Sequence, residues 1–399
     1  MSDLHEPVSE DAAARIIHTA SIVPAPLVIR GGGTRSLVPN DEQHDVLSSA
    51  RLSGIVSYNP AEMTMTAKSG TPLADILAVL SEKRQMLSFE PSDLRPVLGT
   101  TGTPTIGGVF ATNASGPRRF IAGAARDNLL GVRFVNGSGE IVKAGGRVMK
   151  NVTGLDLAKV LAGSRGSLAF LTEVTFRLLP VPETSATIVI SGLDDAQATA
   201  AMATALSMSV EVSGAAHLPE TVRGHFIDGA LPAQPATVLR LEGLSASVAV
   251  RSEKLQAAMA AFGLVSTLDP GMTDRLWGEI RDVRPYADQT ERPLWRVSVA
   301  PTAGHQLVAA LRLETGVDAF YDWQGGLVWL RMEADAEAGL LRHFVKAVGG
   351  GHATLIRAPA AMLAATPILQ PEPDAVAALS ARIKAKFDPK GIFRSGQVG

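Results

Sequence analysis

The chain has no cysteine among its 399 residues. That absence removes disulfides, thiolate metal sites, iron–sulfur ligation and a cysteine nucleophile together, so any redox chemistry has to come from a bound cofactor. An excess of one charge is missing too: 37 Lys and Arg stand against 39 Asp and Glu, a net −2. No global field draws such a surface to nucleic acid or anionic lipid, and neither is expected as a partner. The longest apolar runs fall well short of the roughly 20 residues that span a bilayer. The acidic start, MSDLHEPVSEDAAARII, carries no basic segment ahead of an apolar core. A cytoplasmic protein with no membrane span of its own is expected, attachment through a partner subunit leaving no trace in hydropathy. Closely spaced histidines are also absent. Of His5, His18, His44, His217, His225, His305, His343 and His352, the nearest pair is His217 and His225, so no metal site is expected.

What is present is apolar residue and glycine. Hydrophobic residues make up 46% against 19% charged, enough for a sizeable core. Of 38 glycines, 14 lie between Gly99 and Gly166, where backbone has to turn sharply or approach something closely. After Val181 the chain becomes Ala-rich and helical by propensity, as in Asp194–Leu206, which puts a domain boundary near Pro180-Val-Pro182. Upstream, Leu27–Ile29, Ile55–Tyr58, Met63–Ala67 and Leu171–Leu178 read as strands, and Val132–Val135 and Glu140–Val142 as a hairpin about Asn136-Gly-Ser-Gly139. Thr71-Pro72 opens a helix with Leu73, Ile76, Leu77 and Leu80 as one buried stripe. Downstream, strands at Thr237–Glu242, Leu294–Val299 and Gly326–Arg331 alternate with helices at Ala246–Phe262, Gly304–Glu314 and Asp335–Val348. That order suggests one antiparallel sheet with helices on a face. A helix at Asp374–Lys386 closes the pattern, and no repeats are visible.

Arg30-Gly-Gly-Gly-Thr-Arg-Ser36 follows a strand, and its successive glycines let several amides converge on one anion, with Arg30 and Arg35 adding charge. A solvated turn is the other reading. The loop is neither a Walker loop nor a Rossmann fingerprint. A second cluster, Gly99-Thr-Thr-Gly-Thr-Pro-Thr-Ile-Gly-Gly108 running on to Asn113-Ala-Ser-Gly116, can wrap a long, partly anionic ligand. Arg126–Gly131, Lys150–Asp156 and Gly163–Glu173 complete five glycine-punctuated segments.

In this order the segments resemble the FAD-binding domain of the vanillyl-alcohol oxidase (PCMH-type) flavoproteins, across residues 20–180 and again in the tail at 374–399. Ala114-Ser-Gly-Pro-Arg-Arg119, Lys150-Asn-Val-Thr-Gly154 and the short Ala-rich cap are most similar to the FAD-binding E-subunit branch of bacterial glycolate oxidases. The resemblance implies an α+β fold. A PCMH-type FAD-binding domain of two α+β subdomains would occupy residues 1–180, and a smaller cap with an antiparallel sheet and helices residues 181–370. The C-terminal helix and tail, residues 371–399, would return to the FAD domain. The resemblance also implies that the pyrophosphate lies on Arg30, Gly31, Gly32, Gly33, Thr34, Arg35 and Ser36, on the turn Gly99, Thr100, Thr101, Gly102 and Thr103, and on Gly107 and Gly108. Asn113, Ser115 and Gly116 would line the flavin side, with Gly163, Gly166, Thr172 and Glu173 near the ADP part. Thr34, Arg35 and Ser36 stand where relatives attach flavin through a histidine, so FAD is expected to be non-covalent. Leu155 replaces a common tyrosine and Ala169 a common glycine.

The paired histidines and carboxylate that hold a divalent metal in stand-alone 2-hydroxy-acid dehydrogenases of this family have no counterpart here. Oxidation of a hydroxy acid also needs a cation for the carboxylate and a base for the hydroxyl proton. Arg118 and Arg119 offer a positive pair, or a solvated basic turn. Tyr286, Trp295, Arg296, Trp323, Trp329 and Arg331 offer a pocket over the flavin, or plain core. His217 reads as a structural histidine. Three functions stay open. In the first, the chain is an FAD-containing subunit of a glycolate oxidase or dehydrogenase, passing electrons from a homologous catalytic flavoprotein subunit, or from a small 2-hydroxy-acid substrate, to an Fe–S subunit. The others are a self-sufficient 2-hydroxy-acid dehydrogenase, for example of D-lactate, and a non-catalytic assembly subunit.

Overall fold

The computed structural model describes residues 3–23, 25–36, 44–146, 155–333 and 335–394. The N-terminal part builds two sheets of opposite kind. One is antiparallel, in the order Ile55–Asn59, Thr64–Lys68, Phe170–Arg177, Leu129–Val135, Ile141–Gly145. In its hairpin, Asn136 Oδ1 accepts from the amides of Ser138 and Glu140, so the side chain itself closes the turn. The helix Leu73–Glu82 packs on this sheet through Leu73, Ile76, Val79 and Leu80, whereas Leu77, expected in the stripe, is 44% exposed. Thr71 does not cap that helix. Its hydroxyl donates to Lys68 O at 2.7 Å and accepts from Gly54 N at 3.0 Å, and the helix begins after Pro72.

The other sheet is wholly parallel, in the order Leu4–His5, Asp45–Ser48, Leu27–Arg30, Phe393–Arg394. The helix Glu10–Ile22, capped by Ser9 Oγ on Ala12 N, covers it with Ala13 and Ile17 against Leu27, Leu47 and Phe393. Buried Asp388, just beyond the helix Asp374–Phe387, accepts from the amides of Ile392 and Phe393, both at 2.9 Å, and so turns the chain onto Leu27.

Besides a two-stranded antiparallel pairing of Gln85–Met86 with Leu179–Pro180, the remaining sheet has eight antiparallel strands: Leu264–Leu268, Thr184–Ser191, Ala236–Gly243, Gly214–Leu218, Val317–Asp322, Leu327–Met332, Leu294–Ser298 and His352–Arg357. This order corrects the expectation of no repeats. Each half is a strand–helix–strand–strand–helix–strand unit with its first strand between its third and fourth, a topological repeat with no matching motif in the sequence. The halves meet where His217 pairs with Tyr321. Asp195 secures that seam, accepting from Tyr321 Oη at 2.6 Å and Arg312 at 2.8 Å and lying 3.3 Å from His217 Nε2. Burial pushes the Asp195 carboxyl up, but these partners outweigh it and hold it at about 2. His217, whose Nδ1 lies 2.9 Å from Thr237 Oγ1, is therefore structural. Helices do not cover one face alone. In Thr184–Ser191, Ile188 and Ile190 pack under the helices Asp195–Ser207 and Ser245–Met259, while Val189 belongs to the core containing Leu276 and Trp277 of the helix Pro270–Arg281. In the second half, Arg296 is paired with Trp329 and Thr354 across the strands, and this side of the sheet faces the N-terminal part. Among the described residues no helix is long and apolar enough to cross a membrane.

Candidate functional site

The two glycine loops meet backbone to backbone. A Cβ on Gly32 would sit 1.5 Å from Thr103 O, and one on Gly102 1.7 Å from Gly32 O, so neither loop tolerates a side chain there. Thr100 Oγ1 donates to Thr34 O at 3.2 Å, and Gly99, left-handed at φ 67°, ends the helix Arg95–Leu98 beside them. Among the described residues, the amides of Gly31, Gly32, Gly33, Thr34 and Arg35 donate to no protein acceptor, nor do those of Thr101, Gly102 and Thr103. Polar backbone left unpaired in this number is a ready donor set for an oligo-anion such as a pyrophosphate. The contribution expected of Gly107 and Gly108 is corrected. They lie in the short helix Ile106–Ala111, and their amides are taken by Ser69 O at 2.8 Å and Thr105 Oγ1 at 3.2 Å.

From these loops a cleft of about 140 Å³ runs between the N-terminal part and the eight-stranded sheet. Arg35, Arg165, Arg119 and Arg296 all reach it. Arg35 donates to Ser92 O. Among the described residues, Arg119, Arg165 and Arg296 make no side-chain hydrogen bond or ion pair. Instead Arg119 and Arg296 stack on the Trp323 ring, 4.3 Å and 4.9 Å from its centroid. Trp323 Nε1 in turn donates to Gly116 O at 2.9 Å, joining the sheet's corner to the loop expected on the flavin side. Burial pushes Arg35 and Arg165 down to about 10, the charge of Arg35 adding to the effect on Arg165. Arg296 also falls to about 10, through burial first and then through Arg119 and Arg165. All remain protonated at neutral pH. Asp93 and Asp282 act on Arg35 and Asp322 on Arg296, but Arg119, Arg165 and Arg296 make no ion pair among the described residues, and cations held this close favour an anion between them.

One consequence is opposite effects on two forms of the protein. Arg165→Met is expected to raise the stability of the flavin-free chain by about 1 kcal/mol, by relieving repulsion, while weakening retention of an anionic ligand. Thermal unfolding with and without ligand checks this; a midpoint that falls in both forms would count against an anion site.

Residues 4–145 match the model of a family described as the FAD binding domain. Over 383 residues the chain is 30% identical to glycolate oxidase subunit GlcE of Escherichia coli (strain K12), covering 94% of this chain and 92% of that one. This chain belongs to the PCMH-type FAD-binding flavoproteins. It is also 30% identical over 186 residues to glycolate oxidase subunit GlcD of Bacillus subtilis, covering 46% of this chain and 38% of that one. A D-lactate dehydrogenase of Archaeoglobus fulgidus is 31% identical over 183 residues, 44% of this chain and 38% of that one. The solved structure of p-cresol methylhydroxylase with substrate bound covers 99% of this chain and 88% of its own, with TM-score 0.73 and 13% identity, and so shares the fold.

For a PCMH-type flavoprotein the donor set fits the cofactor, since unpaired amides and Arg35 suit the pyrophosphate. Asn113, Ser115 and Gly116 line the cleft. Their position is fixed from behind: Asn113 Oδ1 accepts from Arg126 N at 2.8 Å and Ser115 Oγ from Ala125 N at 3.0 Å. Gly163 and Gly166 lie either side of Arg165; a Cβ on Gly166 would meet Ile29 Cβ, in the strand before the first loop, at 2.6 Å, and one on Gly163 would lie 3.5 Å from Asn113 Cβ. Of the other expected cofactor residues, Arg30 to Thr34, Ser36, Gly99 to Thr103, Gly163, Gly166, Thr172 and Glu173 do not line the cleft, and the Thr172 hydroxyl is spent on Glu10. Lys150–Gly154 lies outside the described residues. Leu155 is exposed and Ala169 buried.

Of the catalytic candidates, the structure separates Arg118 from Arg119. Arg118 is buried in ion pairs, its guanidinium 2.6 Å from Glu242 and its amide donating to Glu90 at 3.0 Å, so it has no charge to spare for substrate. Tyr286 is also corrected. It is fully buried between Phe320 and Arg331, away from the cleft. Trp295 is core and Arg331 is paired with Asp288 and Asp318. Trp329 and Arg296 do line the cleft. Sequence reasoning missed Arg165 and Asp322. The one available signal for Arg165 was a cation between two glycines.

Proposed function

We propose that this chain is the FAD-binding subunit of a glycolate oxidase, taking part in conversion of glycolate to glyoxylate and passing electrons to an Fe–S subunit beside a homologous flavoprotein subunit. The observation that carries the reading is the row of arginines leading from Arg35 in the first glycine loop to the face of the eight-stranded sheet, of which Arg119, Arg165 and Arg296 make no ion pair among the described residues. One end suits a pyrophosphate and the other a small carboxylate. Likeness to GlcE along nearly the whole chain supports the same reading. In this proposal residues 1–180 form the FAD domain, 181–370 the cap and 371–399 a tail returning to the FAD domain.

FAD, when bound, supplies a two-electron acceptor at the flavin ring. The chain's own residues hold it, with amides 31–35 and 101–103 and Arg35 at the pyrophosphate and the Asn113–Gly116 loop beside the ring. Thr34, Arg35 and Ser36 offer no histidine for a covalent bond, so the flavin dissociates on unfolding. The test is a visible spectrum of the purified chain followed by acid precipitation. A yellow protein whose colour moves entirely to the supernatant is expected. A colourless protein would overturn the FAD-binding role, and colour retained in the pellet the non-covalent one.

A further inference from the structure

Resting on the FAD reading above, the geometry points to a substrate site within this chain itself, in which Arg119 and Arg296 hold the carboxylate of a small 2-hydroxy acid and Asp322 takes its hydroxyl proton. The chain would then oxidise substrate and not only relay electrons.

Asp322 is the only acid lining the cleft, and no histidine, lysine or tyrosine lines it among the described residues. It ends the strand Val317–Asp322, and its Oδ1 accepts from Trp323 N at 2.7 Å. Its other oxygen makes no hydrogen bond among the described residues, so it retains an acceptor for a ligand hydroxyl. The corner that follows is strained: Trp323 and Gln324 both adopt left-handed backbone, φ 51° and 63°. Strain of this kind persists where surrounding structure enforces it, commonly at functional sites. Here it seats the Trp323 ring between the two guanidiniums, one from the N-terminal part and one from the eight-stranded sheet. The acid and both clamps thus converge on the loop at Gly116.

The chemistry balances with FAD as oxidant. The substrate O–H proton passes to the Asp322 carboxylate, C2 loses its hydrogen as hydride to the bound FAD, and the C–O bond becomes the carbonyl of a 2-oxo acid. Asp322 then returns its proton to water. A base has to be ionised near the working pH. Burial raises the Asp322 carboxyl to about 7, with Glu90 adding to the rise and Arg240 and Arg296 opposing it. These three, Arg119 and the further cleft arginines Arg35, Arg165 and Arg281 are the charged groups facing the site.

The experiment uses the flavin-loaded chain without oxygen. Glycolate is expected to bleach the wild-type flavin at a rate that rises with pH and levels off above about pH 7. Asp322→Asn retains flavin and binds oxalate, a non-oxidisable two-carbon carboxylate, yet bleaches 10²-fold or more slowly and without that pH dependence. Arg296→Lys retains flavin but binds oxalate at least tenfold more weakly by calorimetry. Oxalate binding by Asp322→Asn also reports that the variant is folded. Wild-type bleaching rates in Asp322→Asn, or unchanged oxalate affinity in Arg296→Lys, would overturn the inference. A wild-type chain that holds flavin but neither binds oxalate nor bleaches would overturn it while leaving the FAD role standing; a colourless chain removes both.

Discussion

Gly102→Ala is expected to yield a chain that purifies with less than a tenth of the wild-type flavin. The new Cβ would fall 1.7 Å from Gly32 O, and the obstacle is backbone, which cannot rotate away as a side chain would. Overpacking of this kind costs about 1–3 kcal/mol, and here the only relief is separation of the two loops. Separation disperses the unpaired amides of residues 31–35 and 101–103, so the loss should fall on cofactor retention more than on folding. Gly278→Ala provides the contrast. Nothing lies within 4 Å of its would-be Cβ inside the helix Pro270–Arg281, and alanine there should stabilise by about 0.5–1 kcal/mol with full flavin content. The measurement is flavin-to-protein absorbance with a melting curve. Full flavin loading of Gly102→Ala would show that the loops do not cradle the cofactor.

The largest loss of stability is expected from Glu90→Gln. Glu90 accepts from Arg240 through both oxygens, at 2.9 and 3.0 Å, and Arg118 and Arg240 share the other carboxylate, Glu242. The group ties the N-terminal part to the eight-stranded sheet, and removing one charge leaves two buried guanidiniums with a single carboxylate. Breaking such a network costs about 3–5 kcal/mol. Burial alone would raise the Glu90 carboxyl, but Arg240 and Arg118 outweigh it and hold it below the usual range. A carboxyl lowered on folding contributes stability above its unfolded value, about 4.3, and that contribution is lost as pH falls through the folded value. The wild-type midpoint should therefore drop on acidification below that range, and the drop should be smaller in Glu90→Gln. Adding Arg240→Met should recover part of the loss. A midpoint within 1 °C of wild type would remove the network from any account of how the two parts are held.

The parts legible in the sequence were those with local causes. The Asn136–Gly139 hairpin, the Gly304–Glu314 helix and the helix after Asp374 have turn, period or propensity signals of their own. Of the parallel sheet only Leu27–Ile29 was legible, because the sheet joins two-residue and four-residue strands from distant parts of the chain. The doubled strand order was hidden for a related reason: topology can repeat while side chains do not. In the site, glycine marked the loops because steric demand leaves few alternatives. Arginine was the weaker mark, since of those singled out Arg35, Arg119 and Arg296 reach the cleft while Arg118 and Arg331 are spent in ion pairs. Arg118 and Arg119, adjacent in sequence, ended in different environments, one inside an ion-pair network and the other stacked on an indole. Asp322 carries no local signal, since only the tertiary fold buries it beside Arg296 and Glu90.

The strand Leu27–Arg30 leads directly into the amides at Gly31 and is flanked on one edge by Phe393–Arg394. Synthesis makes these partners far apart in time, because the chain emerges from its N-terminus. While the ribosome is still elongating, that edge is open and the core around Leu27 lacks Ile392 and Phe393. The sheet that leads into the first glycine loop is thus completed only after residues 392–394 have been made. A message truncated before Asp388 would leave that sheet edge open to aggregation.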